Sequence, residues 1–145
     1  IITQDAVLAT FDRLLGALTL AVAGIAAISL GVAGILVMNV MLVSVTQRTA
    51  EIGLLKALGA TGGTIRNAFL TEAAMLSIAG ALLGFVLGQA GAAIIRQLYP
   101  AFPAFPPDWA VLAGLATALA TGIVFGVLPA RRAARLDAVQ ALAKR

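Results

Sequence analysis

The stretch LLGALTLAVAGIAAISLGVAGILVMNVMLVSVTQ, residues 14–47, lies between Arg13 and Arg48 and contains 34 consecutive residues without a charge. A helix needs roughly 20 mainly apolar residues to cross a bilayer, so this stretch predicts a membrane span. As a helix it would extend about 51 Å at about 1.5 Å per residue, whereas the hydrocarbon core is about 30 Å thick. We therefore expect the excess to project from the bilayer as a stalk, which includes residues 1–13.

Two further stretches are long enough to cross a bilayer. Twenty-three uncharged residues separate Glu72 from Arg96, and 22 separate Asp108 from Arg131. The 145-residue chain is 61% hydrophobic and 11% charged, with a mean hydropathy of +1.05, whereas soluble domains carry about 25% charged residues. The sequence therefore predicts an all-α polytopic membrane protein with three transmembrane helices.

The residue types that are missing exclude several kinds of site. The chain has no cysteine and no histidine, which excludes a disulfide scaffold, thiolate metal sites and His-based proton relays. No Asp, Glu, Lys or Arg lies inside the three uncharged stretches, residues 14–47, 73–95 and 109–130, although ion-coupled transporters usually keep ionisable residues in their spans. We expect no catalytic residue and no metal site in this chain, and a secondary transporter or channel is disfavoured.

The positive charges predict the orientation in the membrane. Eight Lys and Arg residues lie in the segment after the first span and in the tail, against only Arg13 and Arg96 on the opposite side. Positive charge accumulates on the cytoplasmic side, so we expect both segments in the cytoplasm and no nucleic-acid partner. The first residue, Ile1, would then lie outside, and we expect an upstream span in a longer protein with at least four spans. The eight are Arg48, Lys56, Arg66, Arg131, Arg132, Arg135, Lys144 and Arg145.

These features predict seven consecutive segments. The segments are the end of an extracytoplasmic stalk (1–13), a long transmembrane helix (14–47), a cytoplasmic helix and loop (48–63), a transmembrane helix (64–96), a proline-rich extracytoplasmic loop (97–108), a transmembrane helix (109–130) and a basic cytoplasmic tail (131–145). The five basic residues of this tail would face anionic lipid: Arg131, Arg132, Arg135, Lys144 and Arg145.

Small residues in the spans indicate helix packing. Glycines four residues apart lie on one face of a helix and allow two backbones to approach closely. Packing within one subunit and packing between subunits both fit this pattern, and an interhelical hydrogen bond fits the polar side chain of Asn39. The glycines are Gly80, Gly84 and Gly88 on the second span and Gly122 and Gly126 on the third.

The cytoplasmic segment reads TAEIGLLKALGATGGTIRNAF from Thr49 to Phe69. One face of a short helix would carry Ala and Leu side chains and lie on the membrane or on neighbouring spans. Gly59 would end this helix, with Gly62–Gly63 before the next helix. The other face would carry charges around an apolar pair, which suits a partner protein or a helix resting on lipid headgroups. The first face holds Ala50, Leu54, Ala57 and Leu58, and the second holds Arg48, Glu51, Ile52, Leu55 and Lys56.

Two motifs resemble a known family. Residues 38–60, MNVMLVSVTQRTAEIGLLKALGA, resemble the signature of the FtsX-like ABC transporter permease family, closest to its MacB-type, macrolide-exporter branch. Residues 128–142, LPARRAARLDAVQAL, are similar to the family's ending. The departures are small: Gln47 and Ala50 stand where many relatives carry charged residues, and Ala138 often corresponds to proline.

The resemblance implies a four-span permease, of which this chain would supply spans two to four. It also implies a coupling helix at residues 49–59 that docks on a cytoplasmic ABC ATPase domain or subunit. The implied docking residues are Arg48, Glu51, Ile52, Leu55, Lys56 and Gly59. This chain has no GxxxxGK[ST] phosphate-binding loop, so ATP and Mg are expected on the partner ATPase and no cofactor in this chain.

The implied function is to couple ATP hydrolysis in the cytoplasm to movement outside, termed mechanotransmission, for efflux or export. Implied partners are a second permease in a homo- or heterodimer, possible periplasmic adaptors and the lipid bilayer of the bacterial inner membrane, with the C-terminus cytoplasmic. Docking of the basic tail on the ATPase is an alternative to its lipid contact. The alternative function is a lipoprotein-releasing or cell-division regulatory module that transmits a signal without moving a substrate across the bilayer.

Overall fold

The computed structural model describes residues 3–103 and 105–143, and over those residues it contains helices and no strand. This confirms the predicted all-α class. The helices are α1 (Gln4–Gln47), α2 (Thr49–Ala57), α3 (Gly62–Leu98), α4 (Asp108–Ala134) and α5 (Ala138–Ala143).

Three helices, α1, α3 and α4, are long and apolar enough to cross a membrane. Many of their large side chains are open to the surroundings: Leu20 on α1 is 76% exposed and Leu87 on α3 is 72% exposed. Exposed leucines along a whole helix suit a hydrocarbon solvent, in which the backbone groups are satisfied within each helix. The prediction of a polytopic membrane protein is confirmed.

The chain forms two compact units, residues 1–33 and residues 34–145. The described part of the first unit is the N-terminal portion of α1, and nearly all of its residues are exposed. The second unit contains the rest of α1 and the other four helices, and the core lies within it.

The core of the second unit lies where α1, α2, α3 and α4 meet. Side chains from each helix contribute to it, and α5 adds the buried Ala141 beside α2. Of the described basic residues, Arg48 lies over the ring of the core residue Phe69, and Arg131 and Arg132 lie between the core residues Ala130 and Ala133 in the sequence. The core residues are Met41, Val45, Ile52, Ile65, Phe69, Ala73, Ala130 and Ala133.

Glycine allows α3 and α4 to pack closely. A Cβ atom built on Gly126 would lie 2.7 Å from the Cβ of Ala73, and one built on Gly122 would lie 2.6 Å from the Cβ of Ser77. Both distances are far below van der Waals contact, so this GxxxG pair packs against α3 within the chain. The other three glycines have no atom within 4 Å of such a Cβ: Gly80, Gly84 and Gly88.

Helix ends differ in detail from the expected segments. Gly62 and Gly63 were expected to separate two helices, but they form the first turn of α3 because the Thr61 hydroxyl accepts a hydrogen bond from the Thr64 amide at 3.3 Å. At the other end, α4 continues through Pro129 to Ala134. The ring of Pro129 is fully buried, so packing offsets the hydrogen bond that proline removes.

Candidate functional site

The short helix α2 has an inward and an outward face. Ile52 is 3% exposed and Gly53 is buried, whereas Leu54, Leu55 and Leu58 are 54%, 50% and 77% exposed. Because successive residues are rotated by about 100° in an α-helix, Leu54 and Leu58 lie opposite to the buried pair, and Leu55 lies at the edge of the same exposed side. We call them the leucine face. The sequence analysis assigned Leu54 and Leu58 to one face and Leu55 to the other, whereas in the structure all three lie together.

Ile52 lies elsewhere than the docking hypothesis required. Its side chain belongs to the core with Phe69 and Ala133, so it is not available to a partner. In a nine-residue helix surrounded by apolar side chains, the sequence pattern does not define the buried direction. Burial of Ile52 therefore limits any docking surface to the opposite side of α2.

Arg48 joins α2 to α3. Its Nε lies 3.2 Å from Glu51 Oε2 and its Nη1 lies 3.4 Å from Glu72 Oε2. Its guanidinium also lies 5.7 Å from the ring centroid of Phe69. These contacts place Arg48 at the turn between α1 and α2 as an anchor, while the Glu51 side chain stays 70% exposed beside the leucine face.

Lys56 joins α2 to the end of α4. Its Nζ donates hydrogen bonds to the backbone carbonyls of Ala134 and Leu136. The last carbonyls of a helix have no partner within it, and a cation there also interacts favourably with the helix dipole. Lys56 therefore holds the C-terminal end of α2 against the chain, and its charge is directed inward.

Gly59 ends α2 in a Schellman motif. Its φ is +101°, its amide donates to the Lys56 carbonyl at 3.0 Å, and the Ala60 amide donates to the Leu55 carbonyl at 3.0 Å. Such a left-handed residue satisfies the free carbonyls of the last helical turn. The role that the structure gives Gly59 is to turn the chain from α2 to α3.

The tail divides between two helices. Arg131 and Arg132 are exposed in the last turn of α4, and the exposed Arg135 follows as its C-cap. Three basic groups at this position complement the negative end of the helix dipole. The remaining two basic residues, Lys144 and Arg145, lie outside the described residues.

Two glycines to which the sequence analysis gave no packing role, Gly53 and Gly62, allow close contacts around α2. A Cβ atom on Gly53 would lie 2.7 Å from the Cβ of Ala141, and one on Gly62 would lie 3.1 Å from the carbonyl oxygen of Ala134. Glycine costs about 1 kcal/mol relative to alanine inside a helix. A glycine in the middle of the short helix α2 was thus a signal of close approach.

The other described polar and small site candidates lie in the spans. Asn39 is exposed on α1. Gly84 and Gly88 line an open apolar groove of about 590 Å³ between α3 and α4, which Phe105 also lines. The guanidinium of Arg96 lies 4.7 Å from the centroid of the Phe105 ring, which lines the groove. Among the described residues the lining of this groove is almost wholly apolar.

Comparison with known proteins agrees with these features. The family model of the FtsX-like permease C-terminal region matches residues 23–138. The chain is 40% identical over 142 residues to the uncharacterized ABC transporter permease YknZ of Bacillus subtilis, covering 98% of this chain and 36% of YknZ.

Named exporters show similar identity. The macrolide export ATP-binding/permease protein MacB of Agrobacterium fabrum is 44% identical over 135 residues, 93% of this chain and 21% of MacB. The pyoverdine export ATP-binding/permease protein PvdT of Pseudomonas syringae pv. tomato is 52% identical over 126 residues, 86% of this chain and 19% of PvdT. The chain thus spans at most about a third of the length of these relatives. With the family model covering most of its residues, the chain belongs to the FtsX-like ABC transporter permease family.

Proposed function

We propose that this chain is the membrane domain of an ATP-driven exporter and that the leucine face of α2 docks on a cytoplasmic ABC ATPase. The observation that supports this is the exposure of Leu54, Leu55 and Leu58 on a helix whose opposite side is fixed to the core. Contiguous apolar surface outside the spans is characteristic of a protein interface. Full burial of one leucine contributes about 1.5–3 kcal/mol.

The anchoring of α2 suits the transmission of force. Arg48 ties one end of α2 to α3, and Lys56 ties the other end to α4. A push on the leucine face would therefore act on the membrane helices through packed contacts. This supports mechanotransmission, in which ATP-driven movement of the ATPase displaces the helices and the parts of the protein outside the membrane.

The positive charges support the orientation of this multi-pass protein. Arg66, Arg131 and Arg132 lie on the same side of the second unit as α2, whereas Arg96 lies at the other end of α3. By the positive-inside rule the α2 side faces the cytoplasm. We place the protein in a bacterial inner membrane, with the C-terminus in the cytoplasm and the basic residues near anionic headgroups.

The partners follow from this proposal. The relatives MacB and PvdT are named ATP-binding/permease proteins, which supports an ATPase domain that binds ATP and Mg, either fused to this chain or separate. We propose a homo- or heterodimer of permeases, in which the α3 glycines Gly80, Gly84 and Gly88 form one contact. A periplasmic adaptor is a further proposed partner.

The cargo is selected outside this region. The chain is 44% identical to a protein named for macrolide export and 52% identical to one named for pyoverdine export. Since these cargoes differ chemically and the sequence of this region is shared, we propose that it supplies the common drive. Specificity then resides in the remaining parts of the transporter.

The test is the variant Leu55→Asp in the full transporter, reconstituted in nanodiscs with its ATPase. We expect ATPase binding to weaken at least about ten-fold, because burying an aspartate in place of a leucine costs more than about 1.5 kcal/mol. The matched control is Asn67→Asp, which introduces the same charge at an exposed position of α3. Unchanged ATPase binding by Leu55→Asp, with the protein folded, would contradict docking on the leucine face.

A further inference from the structure

The C-terminal helix α5 packs directly on α2. Ala141 is 2% exposed, and a Cβ atom on Gly53 would lie 2.7 Å from its Cβ and 3.4 Å from both the Ala138 carbonyl oxygen and Leu142 Cγ. Gly53 lies on the side of α2 away from the leucine face. The backbone of α2 at Gly53 therefore packs directly against the methyl group of Ala141 and the Ala138 carbonyl of α5.

Two further contacts fix α5 in place. Lys56 bonds the carbonyls of Ala134 and Leu136, which precede α5. Asp137 then caps α5, since its Oδ1 accepts a hydrogen bond from the Val139 amide at 3.2 Å. The end of α4, the linker and α5 thus form a continuous support behind α2.

Neither helix is long enough to be stable alone. The helix α2 has 9 residues and α5 has 6, whereas isolated helices shorter than about 12–15 residues are marginal in water. Each helix must therefore be ordered by tertiary contact, and for α5 that contact is with α2. The orientation of the leucine face depends on the same contact.

We propose that α5 is a brace that sets the orientation of α2 for the ATPase, with Gly53, Lys56 and Ala141 as positioning residues that do not touch the ATPase. This inference rests on the proposed docking function and extends it to the C-terminal tail. It assigns the apolar side of α5 to the protein, and leaves the basic residues of α4 to the lipid surface.

The experiment exchanges glycine and alanine across the contact. Gly53→Ala adds a Cβ where Ala141 leaves no room, so α5 must shift by about 1 Å to restore ordinary contact. Helix propensity alone favours alanine over glycine in α2, so any loss of binding originates from the contact with α5. The double variant Gly53→Ala, Ala141→Gly removes the opposing methyl group and relieves the overlap.

Two readouts are measured on the full transporter in nanodiscs. Hydrogen exchange of the α5 amides measures how firmly α5 is held on α2, independently of the ATPase. ATPase affinity measures whether α5 orients the leucine face of α2 for docking. Overpacking costs about 1–3 kcal/mol, so we expect Gly53→Ala to accelerate exchange and weaken ATPase binding about 5- to 150-fold. The double variant restores both, and the control Gly63→Ala, whose nearest atom would be 3.9 Å away, changes neither.

The outcomes separate this proposal from the docking function. Unchanged exchange in Gly53→Ala overturns the brace, as does accelerated exchange with unaltered ATPase binding or a failure of the double variant to restore binding. Leu55→Asp tests docking alone: it should weaken ATPase binding while α5 exchange stays as in the parent. Full ATPase binding by Leu55→Asp would reject docking on the leucine face. In that case, weaker binding by Gly53→Ala that the double variant restores would still support the brace.

Discussion

Gly59 occupies a backbone conformation that requires glycine. It is the one described residue for which a positive φ is recorded, at +101°, and it directs the chain from α2 into α3 within two residues. In this conformation the Cβ of an L-residue crowds the backbone. Its identity is explained by the turn, and its effect on docking would act through the position of α2.

We predict that Gly59→Ala destabilises the protein by about 1–2 kcal/mol, the cost of a left-handed conformation for an L-residue. The measurement is thermal unfolding in detergent, followed by circular dichroism. Gly63→Ala is the matched control in the same segment, since its φ is ordinary and its surroundings are open. Equal unfolding temperatures for the parent and Gly59→Ala would show that the turn tolerates a side chain.

At the scale of elements, the pairing of α3 with α4 depends on which glycines face the partner helix. Gly126 packs against Ala73 within the chain, whereas Gly84 faces open space. The two motifs have the same four-residue spacing in the sequence. Spacing predicts a smooth face on each helix, but the direction of that face depends on long-range packing and is absent from the local pattern.

We predict that Gly126→Ala weakens the α3–α4 pair by about 1–3 kcal/mol, the usual cost of overpacking. Ala73 has no alternative rotamer with which to avoid the added methyl group, so the helices must separate. Gly114→Ala provides the same chemical change on α4, where no neighbouring atom lies within 4 Å of the added Cβ, and should leave stability equal or higher. Unfolding by increasing sodium dodecyl sulfate measures both variants, and equal losses would contradict the assigned packing.

The difference between local sequence patterns and long-range packing also explains which parts of the fold and the site could be predicted. Charge-free length and hydropathy predicted three spans, because the bilayer imposes them locally. The exposure of Leu55 was predicted, but Ile52 was placed on the wrong side for a docking residue because α2 is too short for its periodicity to define a face. The contact of Gly53 with Ala141 joins distant parts of the chain, so no local signal assigned α5 to α2.

At the scale of the whole molecule, charge and packing are concentrated at one end of the second unit. The core, α2, α5 and most basic residues lie there, while the rest of α3 and α4 exposes apolar side chains. Such a division suits a protein that is supported by its own contacts outside the bilayer and by lipid along its spans. The orientation that this requires is open to direct measurement.

We predict that residue 67 lies in the cytoplasm and residue 102 lies outside, because the basic residues around the start of α3 fix the topology. The chain contains no cysteine, so the single variants Asn67→Cys and Phe102→Cys each place one labelling site in this chain, at an exposed position. In intact spheroplasts, a membrane-impermeant maleimide should label Phe102→Cys and label Asn67→Cys only after permeabilisation. The reverse pattern would invert the membrane topology and place the leucine face out of reach of any cytoplasmic ATPase.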